Sequence, residues 1–118
     1  MDNFHRLFNE FITSLRRKSK SVPIIVEGKN DVATLKRFGI KNIIPISGKN
    51  YFDLLEEISE NTTEVVLLID VDKQGEKIFK TLKGIFEKQG LKVDGTFREY
   101  LKKLKIEEVE QLKDLLFK

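Results

Sequence analysis

The sequence contains no cysteine and no tryptophan, and it has one histidine, His5. The lack of cysteine excludes disulfides, cysteine-ligated zinc, iron–sulfur clusters and a thiol nucleophile. A histidine-rich metal site is also excluded, and a histidine-dependent catalytic triad would have to use His5. Apolar runs stay far below the roughly 20 residues of a transmembrane helix, and the charged start MDNFHRLFNE lacks the pattern of a signal peptide. We therefore expect a soluble, cytoplasmic protein.

The composition is that of one folded domain. The chain has 118 residues, of which 40% are hydrophobic, and this length falls near the common domain size of about 100–150 residues. Its 22 Lys and Arg residues against 19 Asp and Glu residues give a net charge of +3, which permits nucleic-acid binding without requiring it. We expect a single domain over residues 1–118, with an amphipathic helix in residues 1–20, a core in residues 21–95 and a helical tail in residues 96–118.

Short apolar runs predict a parallel sheet. The run at residues 22–26 fits a strand covered on both faces, residues 42–46 and 64–69 are predicted as the second and third strands, and residues 91–93 form a shorter fourth run. Segments with apolar residues at helical spacing separate these runs. This alternation predicts an α/β, three-layer fold in which a mainly parallel sheet of about four strands is flanked by helices.

The helices are predicted from apolar spacing and from cap residues. Asn30 is expected to cap a helix that ends near Gly39. The helix at residues 51–59 is expected to turn Phe52, Leu55 and Ile58 towards the core. The other helices are expected at residues 2–18, at residues 76–89 and over the tail from Phe97.

Acidic side chains follow two of the predicted strands. Glu27 ends the first strand, Asp70 ends the third, and Asp72 follows two residues later. Ligands of parallel α/β sheets bind beyond the carboxyl ends of the strands, so Glu27 would face the two aspartates if these strands are neighbours. Close carboxylates repel one another, and a shared proton, a nearby lysine or a hard divalent cation such as Mg²⁺ relieves the repulsion. The alternative is that each acid caps a helix.

The two acidic motifs together resemble a known family. EGKND at residues 27–31 and DVDKQG at residues 70–75 resemble the Toprim domain, which topoisomerases, bacterial-type primases, recombination proteins and certain nucleases share. The resemblance covers roughly residues 22–93. It is strongest for small stand-alone Toprim proteins and for the ribonuclease that matures small ribosomal RNA precursors. It implies a Toprim-like, Rossmann-like three-layer fold.

The resemblance also implies roles for the motif residues. Asp70 and Asp72 would hold Mg²⁺, with Mn²⁺ as a substitute. Glu27 would be the general acid or base and also a metal ligand. Gly28 and Gly75 would be glycines that the backbone requires at the two turns. These five residues form the predicted site.

Other polar residues are predicted to support that site. Asp31 either braces the turn that carries the catalytic acid or joins the metal ligands, or else it stabilises the start of a helix, and these alternatives stay open. Lys29, Lys49 and Lys73 fall in loops at the predicted carboxyl end of the sheet and would contact substrate phosphates. Arg98, in a basic segment of the tail, is predicted as a further nucleic-acid contact.

Two functions follow as hypotheses. The first is Mg²⁺-dependent cleavage or transfer of nucleic-acid phosphodiesters, nuclease-like and in RNA processing. The second is a non-catalytic module that binds nucleic acid or a protein within a larger RNA- or DNA-processing complex, so catalysis itself is left open. RNA is preferred over DNA as the partner on the resemblance alone. The apolar helices at both ends of the chain offer a surface for a homodimer.

Overall fold

Helices and strands alternate along the chain in the computed structural model, which describes residues 2–116. None of the helices in this part of the chain has the length and apolar character that a membrane span requires. The helices are α1 Asn3–Lys18, α2 Lys29–Arg37, α3 Tyr51–Glu57, α4 Lys73–Lys88 and α5 Thr96–Leu104, followed by a 3-10 helix, Val109–Leu115. The strands are β1 Ile24–Val26, β2 Ile43–Pro45, β3 Glu64–Leu67 and β4 Lys92–Asp94.

The sheet is parallel throughout and has the strand order β2-β1-β3-β4. Ile24 of β1 pairs with Ile43 of β2 on one side and with Val66 of β3 on the other. The predicted α/β fold is thereby confirmed, and the first and third strands are neighbours. Since all strands run in the same direction, the segments that follow β1 and β3 leave the sheet at the same edge.

Helices cover both faces of the sheet. Val66 and Leu68 point to the face where α1, α2, α5 and the 3-10 helix pack, whereas Val65 and Leu67 point to the face of α3 and α4. All four side chains are fully buried, because successive residues of a strand alternate between two covered faces. A strand in this position needs apolar residues throughout, which explains the continuous apolar runs of the sequence.

The two terminal helices pack against each other on the first of these faces. The Phe11 ring of α1 lies 6.3 Å from the Phe97 ring and 5.6 Å from the Tyr100 ring of α5, measured between ring centroids. Leu15 and Leu101 are fully buried in the same cluster. The apolar faces of both helices are therefore largely buried inside the chain, although Phe4 of α1 is 37% exposed, and a homodimer surface formed by these helices stays a prediction.

Three local predictions are wrong. The helix α2 begins before Asn30, so this residue lies inside the helix, and the Asp31 carboxylate takes the capping role instead. Phe52 is 69% exposed, because Leu54 and not Phe52 occupies the inward face of the short helix α3. The tail is not one helix: Lys105 adopts a left-handed φ of 58° after α5 and separates it from the 3-10 helix.

Candidate functional site

A side chain joins the carboxyl ends of β1 and β3. Leu68 N donates to Ile25 O at 2.9 Å, as one rung of the main-chain ladder between these segments. One rung further, Asp70 N donates to Oε2 of the Glu27 carboxylate, also at 2.9 Å. The main-chain oxygen of Glu27 accepts instead from Ser47 N, on the side of β2, at 2.9 Å. Glu27 therefore contacts the ends of both neighbouring strands, and its carboxylate lies against Asp70.

Burial and charge together disfavour ionisation of Glu27. Its pKa is raised from 4.5 to about 7, chiefly because burial withholds water from the carboxylate, and further because Asp70 and Asp72 carry the same charge. The hydrogen bond from Asp70 N opposes this rise in pKa, since it favours the charged form. A carboxyl group with a pKa near 7 takes up or releases a proton near neutral pH, as a general acid or base must.

The carboxyl-terminal segment holds Asp70 from another side. Val109 N, at the start of the 3-10 helix, donates to Asp70 Oδ1 at 2.9 Å. Val71 N, in the next peptide group, donates to Glu107 O at 2.6 Å. Sequence reasoning missed both contacts, because this segment reaches the site through main-chain groups that leave no motif.

Arg98 is buried beneath the segment that carries Asp70. Its side chain is 3% exposed, and it donates to Ile69 O through Nε and to Asp70 O through Nη2, both at 3.1 Å. Its Nη1 lies 2.8 Å from Oε2 of Glu76, and this hydrogen bond and the positive charge lower the pKa of Glu76. The prediction that Arg98 contacts nucleic acid is therefore wrong, because its guanidinium faces the protein interior.

The turn after Asp70 closes tightly around Gly75. Asp72 Oδ1 accepts from Gly75 N at 2.6 Å and so caps α4. For Asp72, the helix cap that the sequence offered as an alternative to metal binding is therefore present. A Cβ on Gly75 would overlap the main-chain oxygen of Asp70, so any larger residue at this position would force the turn to shift. Gly28 differs, because its φ of −141° suits any residue and an added Cβ would lie 4.0 Å from its nearest neighbour, an oxygen of Asp31. The prediction that Gly28 is required is therefore wrong.

Asp31 braces the turn that follows β1. The residue is 7% exposed, and its carboxylate accepts from Gly28 N at 3.1 Å. Burial raises the pKa of Asp31 from 3.8 to about 6, and the negative charges of Asp70, Glu110 and Glu108 add to the rise. Because Gly28 is also the N-cap residue of α2, this one contact both braces the turn and stabilises the start of the helix.

A cavity of about 450 Å³ opens at this edge of the sheet, and its lining carries five carboxylates and one ammonium group. A larger cavity of about 590 Å³ lies at the opposite edge and contains neither acidic motif. Chemistry and not size therefore identifies the site. Glu108 and Glu110 were not predicted, and their one signal in the sequence is the acidic run at residues 107–110. The lining residues are Glu27, Gly28, Lys29, Asn30, Asp31, Ser47, Asp70, Glu108 and Glu110.

The sheet and the two acidic motifs match one protein family. A family model for the Toprim domain matches residues 22–110. The chain belongs to the Toprim family. The matched residues include all four strands described above and the acids that follow β1 and β3. Membership of the Toprim family indicates a metal-dependent function connected with nucleic acids.

Relatives of similar length carry the name UPF0292. The UPF0292 protein MJ1624 from Methanocaldococcus jannaschii is 32% identical over 99 residues, which are 82% of this Toprim chain and 77% of the relative. The UPF0292 protein PH1700 from Pyrococcus horikoshii is 30% identical over 115 residues, which are 98% of this chain and 85% of the relative. This chain therefore matches both proteins over most of their length.

Part of a larger protein and a solved structure also match. The DNA primase DnaG from Methanopyrus kandleri is 46% identical over 59 residues, which are 50% of this Toprim chain but 14% of the primase. A solved structure of a protein from Aquifex aeolicus is 41% identical, with a TM-score of 0.84, and the match covers 87% of this chain and 95% of that chain. The structural match confirms the fold, whereas the primase match concerns a small part of the primase.

The donor atoms of the Toprim site fit a hard cation, although they are not gathered into a cluster. Glu27, Asp70 and Asp72 each use one carboxylate oxygen for a main-chain amide. Each has a second carboxylate oxygen, and such oxygens are preferred ligands of Mg²⁺. Among residues 2–116, however, no three acidic or histidine side chains lie close enough together to hold a metal ion as they stand. The set of three metal ligands therefore stays a prediction.

The lysines predicted as phosphate contacts are placed differently from one another. Lys29 lines the acidic cavity of the Toprim site. Lys49 Nζ lies 2.6 Å from Glu57 Oε2 and donates to Pro45 O at 3.0 Å, so this ammonium group turns towards α3. Lys73 is exposed at the start of α4, three residues before the predicted start of that helix. Of these three lysines, the structure brings Lys29 into the cavity.

Gly75 and Gly84 lie in the same helix and provide a matched pair of substitutions. We expect Gly75→Ala to lower the free energy of unfolding by about 1–3 kcal/mol, because the new Cβ overlaps the Asp70 carbonyl and forces the turn to shift. Gly84→Ala meets no atom within 4 Å. It should raise the same free energy by about 0.5–1 kcal/mol, since alanine is the better helix former. Urea unfolding measures both, and equal changes in the two variants would contradict the tight turn.

Glu27→Gln should change how stability depends on pH. The pKa of Glu27 is about 7 in the folded protein and ordinarily 4.5, so the parent loses stability as the pH rises through this interval. Glutamine has no charge to bury, and its side-chain oxygen still accepts from Asp70 N. With a chelator present, we expect the melting temperatures of variant and parent to be similar near about pH 4.5 and the variant to melt a few degrees higher near about pH 8.

Melting curves followed by circular dichroism at both pH values provide the measurement. Glu60→Gln is the control, because Glu60 is an exposed acid between α3 and β3, at the opposite edge of the sheet. Its melting temperature should follow that of the parent at each pH. If the difference between Glu27→Gln and the parent does not grow with pH, Glu27 titrates as an ordinary carboxyl group.

Proposed function

We propose that this Toprim protein is an Mg²⁺-dependent enzyme that cleaves or transfers nucleic-acid phosphodiesters. The observation that carries the proposal is the contact between Glu27 and Asp70, 2.9 Å from carboxylate oxygen to amide nitrogen, beyond the carboxyl ends of β1 and β3. Parallel α/β sheets bind their ligands at this edge. The contact supports the proposal because proton transfer by Glu27 and cation binding by Asp70 would both need these two side chains close together.

Each acid of the site has a proposed role. Asp70 and Asp72 would hold Mg²⁺, with Mn²⁺ as a substitute, and Glu27 would join them. A cation bound there supplies positive charge that stabilises a phosphoryl group in the transition state. Glu27 accepts or releases a proton at the attacking or leaving oxygen, as its raised pKa allows. Asp31 keeps the turn after β1 in place through its hydrogen bond with Gly28 N.

The cavity is strongly acidic, and a nucleic-acid phosphate would need a cation in order to bind there. Its lining carries five acidic residues and one basic residue, Lys29. A phosphate group is repelled by this surface until positive charge enters it. Lys29 and the exposed Lys73 at the start of α4 supply some positive charge. They would position the nucleic-acid backbone without reading its sequence.

RNA is the substrate class that we propose first. This preference rests on the resemblance of the motifs to the ribonuclease that matures small ribosomal RNA, whereas the primase relative is named for DNA. Both nucleic acids therefore belong in the test. We also infer a cytoplasmic location, in keeping with the composition. A homodimer and membership of a larger processing complex stay predictions.

Incubation with labelled nucleic acids tests the proposal. The protein is mixed with structured RNA, single-stranded DNA and duplex DNA, each with Mg²⁺ and with EDTA, and the products are separated by gel electrophoresis. We expect RNA cleavage that requires Mg²⁺ and slows at least about 100-fold in Glu27→Gln, since loss of a general acid or base costs about 10²–10⁴-fold. Glu60→Gln, the exposed-acid control, should cleave at the parent rate.

Two results would contradict the enzyme proposal. If nucleic acid binds to the parent and to Glu27→Gln but is never cut with Mg²⁺ or Mn²⁺, the protein is a binding module, as the second hypothesis from the sequence holds. If cleavage persists in EDTA, or is undiminished in Glu27→Gln, the acids of the site are structural and the activity has another origin.

A further inference from the structure

One buried side chain connects the two ends of the segment that carries both aspartates. This segment, residues 70–75, is named the Asp loop. Arg98 of α5 donates to the main-chain oxygens of Ile69 and Asp70 at the start of the Asp loop, each at 3.1 Å. The same guanidinium lies 2.8 Å from the carboxylate of Glu76, the residue after the end of the loop. Arg98 therefore bridges the Asp loop from its start to its end.

Arg98 and Glu27 hold the same peptide group from opposite sides. The carbonyl of Ile69 and the amide of Asp70 belong to one planar unit. Its oxygen accepts from Arg98 Nε at 3.1 Å, and its N–H donates to Glu27 Oε2 at 2.9 Å. The next peptide group is held in the same way, since Asp70 O accepts from Arg98 Nη2 and Val71 N donates to the chain before the 3-10 helix. Both peptide planes beside Asp70 are thus fixed.

The burial of Arg98 requires an arginine and not merely a positive charge. A side chain that is 3% exposed carries a charge that is costly to bury without partners. Two main-chain oxygens and the Glu76 carboxylate provide partners, and the guanidinium carbon lies 4.9 Å from the centre of the Phe79 ring. The flat, forked guanidinium reaches these groups together, whereas the single ammonium of lysine does not.

We propose that Arg98 is the positioning residue of the Toprim site. It orients the two peptide planes beside Asp70 so that the carboxylates of the Asp loop are presented towards Glu27, and it touches neither substrate nor cation. The consequence for metal binding rests on the proposed function, whereas the consequence for the conformation of the loop does not. Residues that orient a metal ligand through hydrogen bonds, without touching the metal, change metal affinity by about 10–100-fold when they are removed.

Arg98→Lys tests the inference, with Arg16→Lys as the matched control. Arg16 also donates through Nε and Nη2 to a main-chain oxygen, that of Phe38, at 3.0 and 2.7 Å, but it joins α1 to the end of α2. Two readouts are used: amide hydrogen exchange in EDTA, and Mn²⁺ affinity by electron paramagnetic resonance. For Arg98→Lys we expect exchange about tenfold faster in the Asp loop and Mn²⁺ affinity about tenfold lower or more. Arg16→Lys should leave both at parent values.

Each outcome decides the role of Arg98. Parent-like exchange in the Asp loop of Arg98→Lys would overturn the inference. Faster exchange throughout the chain would also overturn it, because Arg98 would then be a general structural residue. If the parent binds no Mn²⁺, the proposed function fails, while the exchange result still decides the inference. If Arg98→Lys does not fold, Glu76→Gln, which loosens one end of the bridge, is judged by the same exchange criterion with a smaller increase expected.

Discussion

A single hydrogen bond, from the amide of Asp70 to the carboxylate of Glu27, is the constraint on which the site depends. Parallel pairing of β1 with β3 brings both residues to one edge of the sheet, and the burial of these strands on both faces keeps that pairing in place. The carboxylate occupies a position that a main-chain carbonyl occupies one rung earlier in the ladder. The acid is therefore positioned by the paired strands of the sheet and not by a loop of its own.

The same placement is electrostatically unfavourable. Glu27 and Asp31 lose water on burial, and their pKa values rise to about 7 and about 6. The carboxylates of Asp70, Glu108 and Glu110 line the same cavity. Groups with strongly raised pKa values that meet in one cleft are typical of functional sites, because a structural role alone does not require such a concentration of like charge. Bound protons or a bound cation would relieve the repulsion between these carboxylates. The Toprim family indicates a metal-dependent function, which favours the cation.

Sequence patterns predicted those features that depend on side-chain chemistry and chain order. Continuous apolar runs predicted the parallel sheet, and the positions of Glu27 and Asp70 after two strands predicted their meeting, provided that these strands are neighbours. Features that depend on main-chain groups could not be predicted. Arg98 lies in a basic segment of the sequence, and two of its three partners are main-chain oxygens, which leave no pattern in the sequence. Val109 reaches Asp70 through a main-chain amide that most residue types possess. The exposure of Phe52 was missed because a helix of 7 residues has too few positions to fix its inward face.

Titration of the ¹⁵N-labelled protein with Mg²⁺ tests most directly whether the meeting of Glu27 and Asp70 forms a cation site. We expect the amide signals of Asp70 and Asp72 to shift and to saturate with one Mg²⁺ per chain. In the double variant Asp70→Asn/Asp72→Asn, the same amides should show no saturable shift. If Mg²⁺ leaves these signals in place in the parent, or shifts them equally in the double variant, the acids at the end of the sheet do not form a cation site.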